Sequence, residues 1–399
     1  MGQKKSKPNT NEVVEIFDDS DTNYEPCIPY ACGSNLNGEL SLESSKIQYR
    51  FLQINFDAIK QQVKFLRFGR GSTYVVTKNN DLYVIGRNNF GQLGLGDEVE
   101  RRIFTKVENG LFSKGIKDIS CGFDHVVILL QDGKVLSCGS NQVGQLCLYH
   151  NDNVNVFTEI THMITGLSFE SISCGGYFTY LITTYGELYS CGQNTDGQLG
   201  LESEINRSTL KKVPIDFLVK EVRCGLNHTI ILTTYNEVYV AGYNSNGQLG
   251  LGHKTNQNTF RKLEFESGIT ISEVFCGAVH TIFKTSNGEV YVCGGNKSGQ
   301  LGMKSPDQLS PVQVKFFMKK SPIRLVNTQM SNHTVVVTQD NKMWVCGRGE
   351  DGQLGNGLDS NVEEFQLVKP SADFKIDSEK ILQVMALDKA TFVITGRKV

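Results

Sequence analysis

One eight-residue phrase returns seven times along this chain, and its spacing restricts the fold more than any other feature. The copies open at Gly33, Gly86, Gly139, Gly192, Gly242, Gly294 and Gly347, in steps of 53, 53, 53, 50, 52 and 53 residues. Their common form is Gly-x-Asn-x-x-Gly-Gln-Leu, mostly followed by another glycine. A repeat of this length is one supersecondary unit that cannot bury its apolar face alone. Stacked units bury a continuous core, so the 399 residues read as one repeat array and not as several unrelated domains.

Each unit carries a hairpin ahead of its phrase. In the fourth repeat, β-rich runs at Phe178 to Thr183 and Glu187 to Cys191 flank a turn at Thr184 to Gly186. Gln131-Asp-Gly133, Lys78-Asn-Asn80 and Ser286-Asn-Gly288 are further hairpin signals. The phrase itself reads as structural. The first glycine permits a sharp turn, and Asn35, Asn88, Asn141, Asn194, Asn244 and Asn296 cap it. The second glycine supplies a backbone shape that other residues resist. Leu40, Leu93, Leu146, Leu199, Leu249, Leu301 and Leu354 anchor the core. Gln92, Gln145, Gln198, Gln248, Gln300 and Gln353 are expected to satisfy buried backbone groups.

The ends complement each other. The runs Ile381–Ala386 and Ala390–Thr395 match the first strands of a repeat and then stop, while Ile28–Gly33 matches the strand that is missing. The prediction is an all-β, seven-bladed β-propeller closed by pairing of the N- and C-terminal strands, which removes an open edge. Residues 1–26 are expected as a disordered tail and residues 27–399 as the propeller.

Charge narrows the partners. Net charge is −2 and the pI about 6.4, against the basic stripe of a nucleic-acid binder. No apolar run reaches the length of a membrane span, and the polar amino terminus does not read as a secretory signal. Cys121, Cys174, Cys224 and Cys276 share one repeat position, and Cys32, Cys138, Cys191, Cys293 and Cys346 share another. Thiols that recur by repeat fill one small buried slot, so they are expected to be reduced, in an intracellular compartment. No CxxC pair is present to begin a zinc site, and no metal or cofactor is expected.

The phrase Cys-Gly-x-x-His-Thr, at Cys224 to Thr229 and Cys276 to Thr281, precedes a hairpin and then Gly-x-Asn-x-x-Gly-Gln-Leu-Gly. This pattern resembles the regulator of chromosome condensation repeat, over about residues 28 to 399. The resemblance implies the seven-bladed propeller. It also implies a nuclear guanine-nucleotide exchange factor for the small GTPase Ran that binds chromatin, the role of the founding member. Two departures weigh against that role. The founder's exchange activity depends on a β-wedge insertion, and no repeat here exceeds 53 residues. The founder's basic tail is replaced by Lys4, Lys5 and Lys7 and then the acidic Glu12, Glu15, Asp18, Asp19, Asp21 and Glu25, which repel phosphate.

The function expected is a protein-interaction scaffold or regulatory subunit, with guanine-nucleotide exchange on Ran or a related small GTPase as the alternative. No Gly-x-Ser-x-Gly, HExxH or P-loop is present, so no catalytic residues are assigned. His125, His228, His280 and His333 occupy one repeat position, held by Ser72, Phe178 and Ala390 in the other copies. The family resemblance makes them candidate partner-face histidines, and the alternative is that each ties its strand to a neighbouring turn. Asp124, Asp196 and Asp351 are candidate loop acids. Lys315 to Arg324 mixes basic and large apolar residues, as a contact patch or as an outer strand packed inward. Met1-Gly-Gln-Lys-Lys-Ser6 fits the N-myristoylation pattern with Gly2 as acceptor, and the lysines supply a second membrane signal. The expected partner is a protein, a small GTPase being one such partner, bound by a monomer. The expected location is cytoplasmic with membrane contact through the N-terminus, the nucleus being the alternative.

Overall fold

Alternating apolar strands and tight turns condense into seven four-stranded antiparallel sheets arranged in a ring. The computed structural model describes residues 24–42, 46–108, 110–160, 166–318 and 320–398. Blade two shows the common plan: Val63–Gly69 innermost, then Ser72–Thr77, Leu82–Gly86 and Arg101–Lys106 outermost. Blades three to seven repeat it from the inner strands Ile116–Cys121, Phe169–Cys174, Val219–Cys224, Ile271–Cys276 and Ile323–Asn327. The second strand is buried along its whole length in blades two to five and seven, as a strand clasped between neighbouring sheets must be.

Blade one is the closure. Lys380–Leu387 and Ala390–Lys398 come from the C-terminus, and Tyr24–Gly33 and Gln48–Gln53 from the N-terminus. The join runs antiparallel with Tyr30 opposite Val393 and Gly33 opposite Ala390. The seam is thus a ladder of backbone hydrogen bonds through the middle of a sheet. The first strand begins at Tyr24, so Gly2 and the lysines and acids before Tyr24 lie outside the described residues.

The hairpin turns sit at one end of blades two to seven. The positive φ of Asn80, Gly133, Gly186, Asn236, Gly288 and Asn341 marks a turn closed by one left-handed residue. The repeated phrases sit at the opposite end, which we call the motif face. There Leu93 N–H donates to Asn88 Oδ1 at 2.9 Å, and the same bond recurs at Leu40, Leu146, Leu199, Leu249 and Leu301. Each glutamine accepts the backbone N–H two residues before it, as Gln92 Oε1 does from Phe90 at 3.0 Å. Glu39 does the same for Asn37 in blade one. All seven motif leucines are fully buried.

Two expectations change. Cys191, expected as a reduced thiol, is joined to Cys147 of the preceding blade, with Cα atoms 5.7 Å apart. Cys147 stands where other copies have the glycine after Gln-Leu, and it keeps that position's positive φ of 61°. A Cβ added at Gly250 or Gly355 would lie 3.2 or 2.9 Å from the thiol of Cys293 or Cys32 in the next blade. A cysteine at this position therefore meets the recurring thiol directly. The other described thiols, Cys32, Cys121, Cys138, Cys174, Cys224, Cys276, Cys293 and Cys346, are free and buried. Lys315–Phe317 forms a short 3-10 turn instead of an outer strand. Phe316 and Phe317 pack on Trp344 and Phe365, Lys320 lies over Phe316 and Trp344, and Met318 remains exposed.

Candidate functional site

The repeated histidines lie in a belt behind the motif face. His125 Nε2 meets Thr179 Oγ1 of the next blade at 3.1 Å, His228 meets Thr281 and His280 meets Thr334 at the same distance, and His333 meets Thr391 at 2.8 Å. Each threonine hydroxyl spends its one proton on the carbonyl of the preceding motif residue, such as Gln145 at 2.8 Å. The imidazole must then be the donor, which assigns the Nε2–H tautomer. Burial holds the rings neutral, with pKa pushed down to about 3. All four rings are buried and do not reach the solvent-exposed surface. Their position is an inter-blade link.

The three exceptions show what the link requires. In three of the four linked blades the ring lies over the glycine three residues earlier, where a Cβ on Gly122 would fall 2.1 Å from His125 Cε1, whereas blade seven keeps its link with Met330 at that position. Phe178 occupies the same space in blade four, 2.1 Å from a Cβ built on Gly175. Ser72 is too short to cross to the next blade. In blade one the exchange is double, because Leu387 replaces the glycine opposite Ala390.

The motif face is not uniform around the ring. At the loop between first and second strands, blades five and six carry Leu226, Asn227, Ala278 and Val279, all uncharged. In blades one, two and three the corresponding loops carry Asp388, Lys389, Arg70 and Asp124, and the repeated phrases of blades seven and two add Arg348, Asp351 and Arg87. Arg348 and Lys389 approach the Asp351 carboxylate at 3.2 and 3.3 Å. Arg70 meets Asp388 at 3.3 Å, and Arg87 meets Asp124 at 3.1 Å. Aromatic rings extend the arc: Arg70 lies 4.6 Å over Phe123, which packs edge-on against Tyr177 at 5.5 Å. Burial raises the pKa of Asp124 and Asp388, and the arginines beside them counter it in part.

Of the candidate acids, Asp124 and Asp351 belong to this arc. Asp196 lies apart, accepting from Asn227 at 3.0 Å and Asn256 at 3.1 Å. Sequence reading missed Arg70, Arg87, Asp388, Lys389 and Arg348, since one repeat does not reveal which neighbours its loop will face. The recurring threonine after the histidine was a signal in plain view. Among the described residues no group of three or more His, Cys, Asp or Glu is placed to hold a metal ion, and no helix is long and apolar enough to cross a membrane.

Comparison with known proteins agrees with this architecture. The family model described as the RCC1-like domain matches residues 29–331, and the regulator of chromosome condensation (RCC1) repeat matches residues 331–353. The X-linked retinitis pigmentosa GTPase regulator of Canis lupus familiaris is 37% identical over 304 residues, covering 75% of this chain and 30% of that protein. The secretion-regulating guanine nucleotide exchange factor of Bos taurus is 29% identical over 289 residues, 70% of this chain and 62% of that protein. The chain therefore spans less than a third of the first relative's length and under two thirds of the second's. Yeast RCC1 (Prp20), solved with Kap60, superposes with TM-score 0.83 at 17% identity, covering 100% of this chain and 95% of that one. Human WBSCR16 superposes with TM-score 0.80 at 19% identity, covering 94% and 100%. Repeat phrase, inter-blade links and these likenesses agree, and the chain belongs to the RCC1-like domain family.

Proposed function

We propose that this propeller is a protein-binding platform whose motif face takes a protein partner through the ionic and aromatic arc of blades seven, one, two, three and four. The observation that carries this reading is the asymmetry of that face, whose loops between first and second strands are charged and ion-paired in blades one to three and uncharged in blades five and six. Partner surfaces gain specificity and on-rate from such fixed charge, while aromatic side chains supply burial. A small GTPase is the first partner to test, since one relative is called a GTPase regulator and another a guanine nucleotide exchange factor. Binding of a small-GTPase panel, including Ran, in GDP and GTP-analogue forms tests the platform. Arg87→Glu with Tyr177→Ala is expected to weaken a binder at least tenfold, and unchanged affinity overturns the assignment of the arc.

The exchange-factor reading is separated from the platform by chemistry, since only an exchange factor accelerates release of bound fluorescent GDP. The buried histidines serve either reading as supports behind the face. Gly2 is proposed as a myristoylation site tethering a cytoplasmic monomer to anionic membrane, with nuclear residence as the alternative. The first strand begins at Tyr24 on the hairpin-turn end, so a tether there leaves the motif face open. Gly2→Ala should move the protein from the membrane to the soluble fraction, and unchanged partitioning removes the tether.

A further inference from the structure

Between blades one and two the motif face opens into a pocket of about 300 Å³. Its walls include Arg70, Arg87, Lys389, Asn37 and Asn89, above a floor formed in part by Ser72 and Ala390. Gly71, at φ +72°, keeps the space clear, because a Cβ there would lie 3.1 Å from Asn37 Nδ2 and 3.5 Å from Arg87 Cβ.

The cations of the arc stand outside their acids. Arg70 is 38% exposed against 26% for Asp388, and Arg87 is 25% against 6% for Asp124. Lys389 and Arg348 are 40% and 35% exposed over an Asp351 at 14%. Glu39, the other acid of the wall, is turned inward to Ser34 Oγ and the Asn37 N–H. An approaching partner thus meets three basic heads and two amides around one concavity, with the compensating carboxylates beneath them. The carboxylates pre-order the guanidinium groups, which lowers the cost of fixing them on binding.

We propose that this pocket is an anion-accepting site that seats the Asp or Glu side chains of an extended acidic segment on the protein partner. The proposal rests on the reading of the motif face as the partner surface and names the chemistry of what docks there. A segment of several residues suits the geometry better than a small free oxyanion, because Arg348, which shares Asp351 with Lys389 of the pocket wall, continues the cationic rim beyond the pocket towards blade seven.

The test is fluorescence anisotropy of a labelled (Glu-Asp)4 peptide on the whole chain, with (Gln-Asn)4 and (Lys-Gly)4 peptides as controls. Saturable binding of the acidic peptide alone is expected, weakening at least fivefold between 50 and 300 mM salt, on the order of a screened ionic contact. Lys389→Gln should weaken it about threefold and Lys389→Gln with Arg70→Gln at least tenfold, while Lys114→Gln on the hairpin-turn end leaves it unchanged. Because Arg70→Gln alone leaves Asp388 without its guanidinium, Arg70→Gln with Asp388→Asn is the variant read if thermal melting shows loss of fold. No binding of the acidic peptide, or equal binding by the neutralised variants, overturns the proposal. Full displacement by 5 mM inorganic phosphate also overturns it, by showing a free-oxyanion site. Tyr177→Ala lies outside the pocket. If the peptide fails while Tyr177→Ala still weakens a GTPase from the panel, the pocket assignment falls and the partner face stands.

Discussion

Glu39 shows at the level of one side chain how a repeat tolerates an exception. It accepts the same backbone N–H that glutamine accepts in the other copies. Burial lifts its carboxyl above the usual range, opposed by hydrogen bonds from the backbone and Ser34. A carboxyl held more tightly protonated in the fold stabilises below its ordinary pKa and loses that contribution as pH rises through the folded value. Glu39→Gln is therefore expected to stabilise the chain by on the order of 1 kcal/mol at pH 7, with the gain shrinking towards pH 4 in thermal melts. The histidines have the opposite sign. With folded pKa near 3, they cannot take the protons that the unfolded chain takes below about pH 6.5, so stability falls as pH drops through that window. His228→Phe copies the natural Phe178 arrangement. It should cost about 1 kcal/mol at neutral pH and remove about one proton from the acid slope, near 1.4 kcal/mol per pH unit. An unchanged slope would mean that the ring is not held neutral.

Between elements, the link from one blade to the next joins a histidine to a threonine of its neighbour. In blades three, five and six the imidazole lies over a bare glycine, blade seven keeps its link with Met330 there, and blade one has Leu387 and Ala390 at the two positions. Ala390→His alone should clash with Leu387 and destabilise by about 1–3 kcal/mol. Leu387→Gly alone should destabilise by about 2–4 kcal/mol through the cavity it leaves. Together they are expected to recover much of the loss by creating a fifth histidine link, to Thr73, whose hydroxyl already donates to the Glu39 carbonyl. A double-mutant cycle measures this directly, and simple additivity would rule out the linkage. The histidines could be listed from the sequence by register. Their burial could not, because it is set by how closely the next blade approaches.

For the whole molecule, closure is the feature on which stability turns. The seam strand Tyr24–Gly33 is internal, with Ala31 opposite both Leu52 and Phe392. Ala31→Pro removes a ladder donor in the centre of a sheet and is expected to cost about 3 kcal/mol or more. Ile103→Pro, on the outermost strand of blade two and largely exposed, should cost clearly less. Similar thermal midpoints for the two variants would argue against a closed ring. Blade number, motif roles and the pairing of the chain ends were all legible in the sequence, because each follows from a period, a turn chemistry or a missing strand that any single repeat displays. Only the tertiary structure decided which loops meet. Arg70, Arg87, Asp124, Asp351, Asp388 and Lys389 carry no shared motif and are far apart in the chain, and ring closure brings the last repeat against the first. The Cys147–Cys191 pair arises in the same way. Local patterns encode what each unit becomes, whereas the ionic arc and the cross-blade bond depend on distances between units that exist only after all seven have packed.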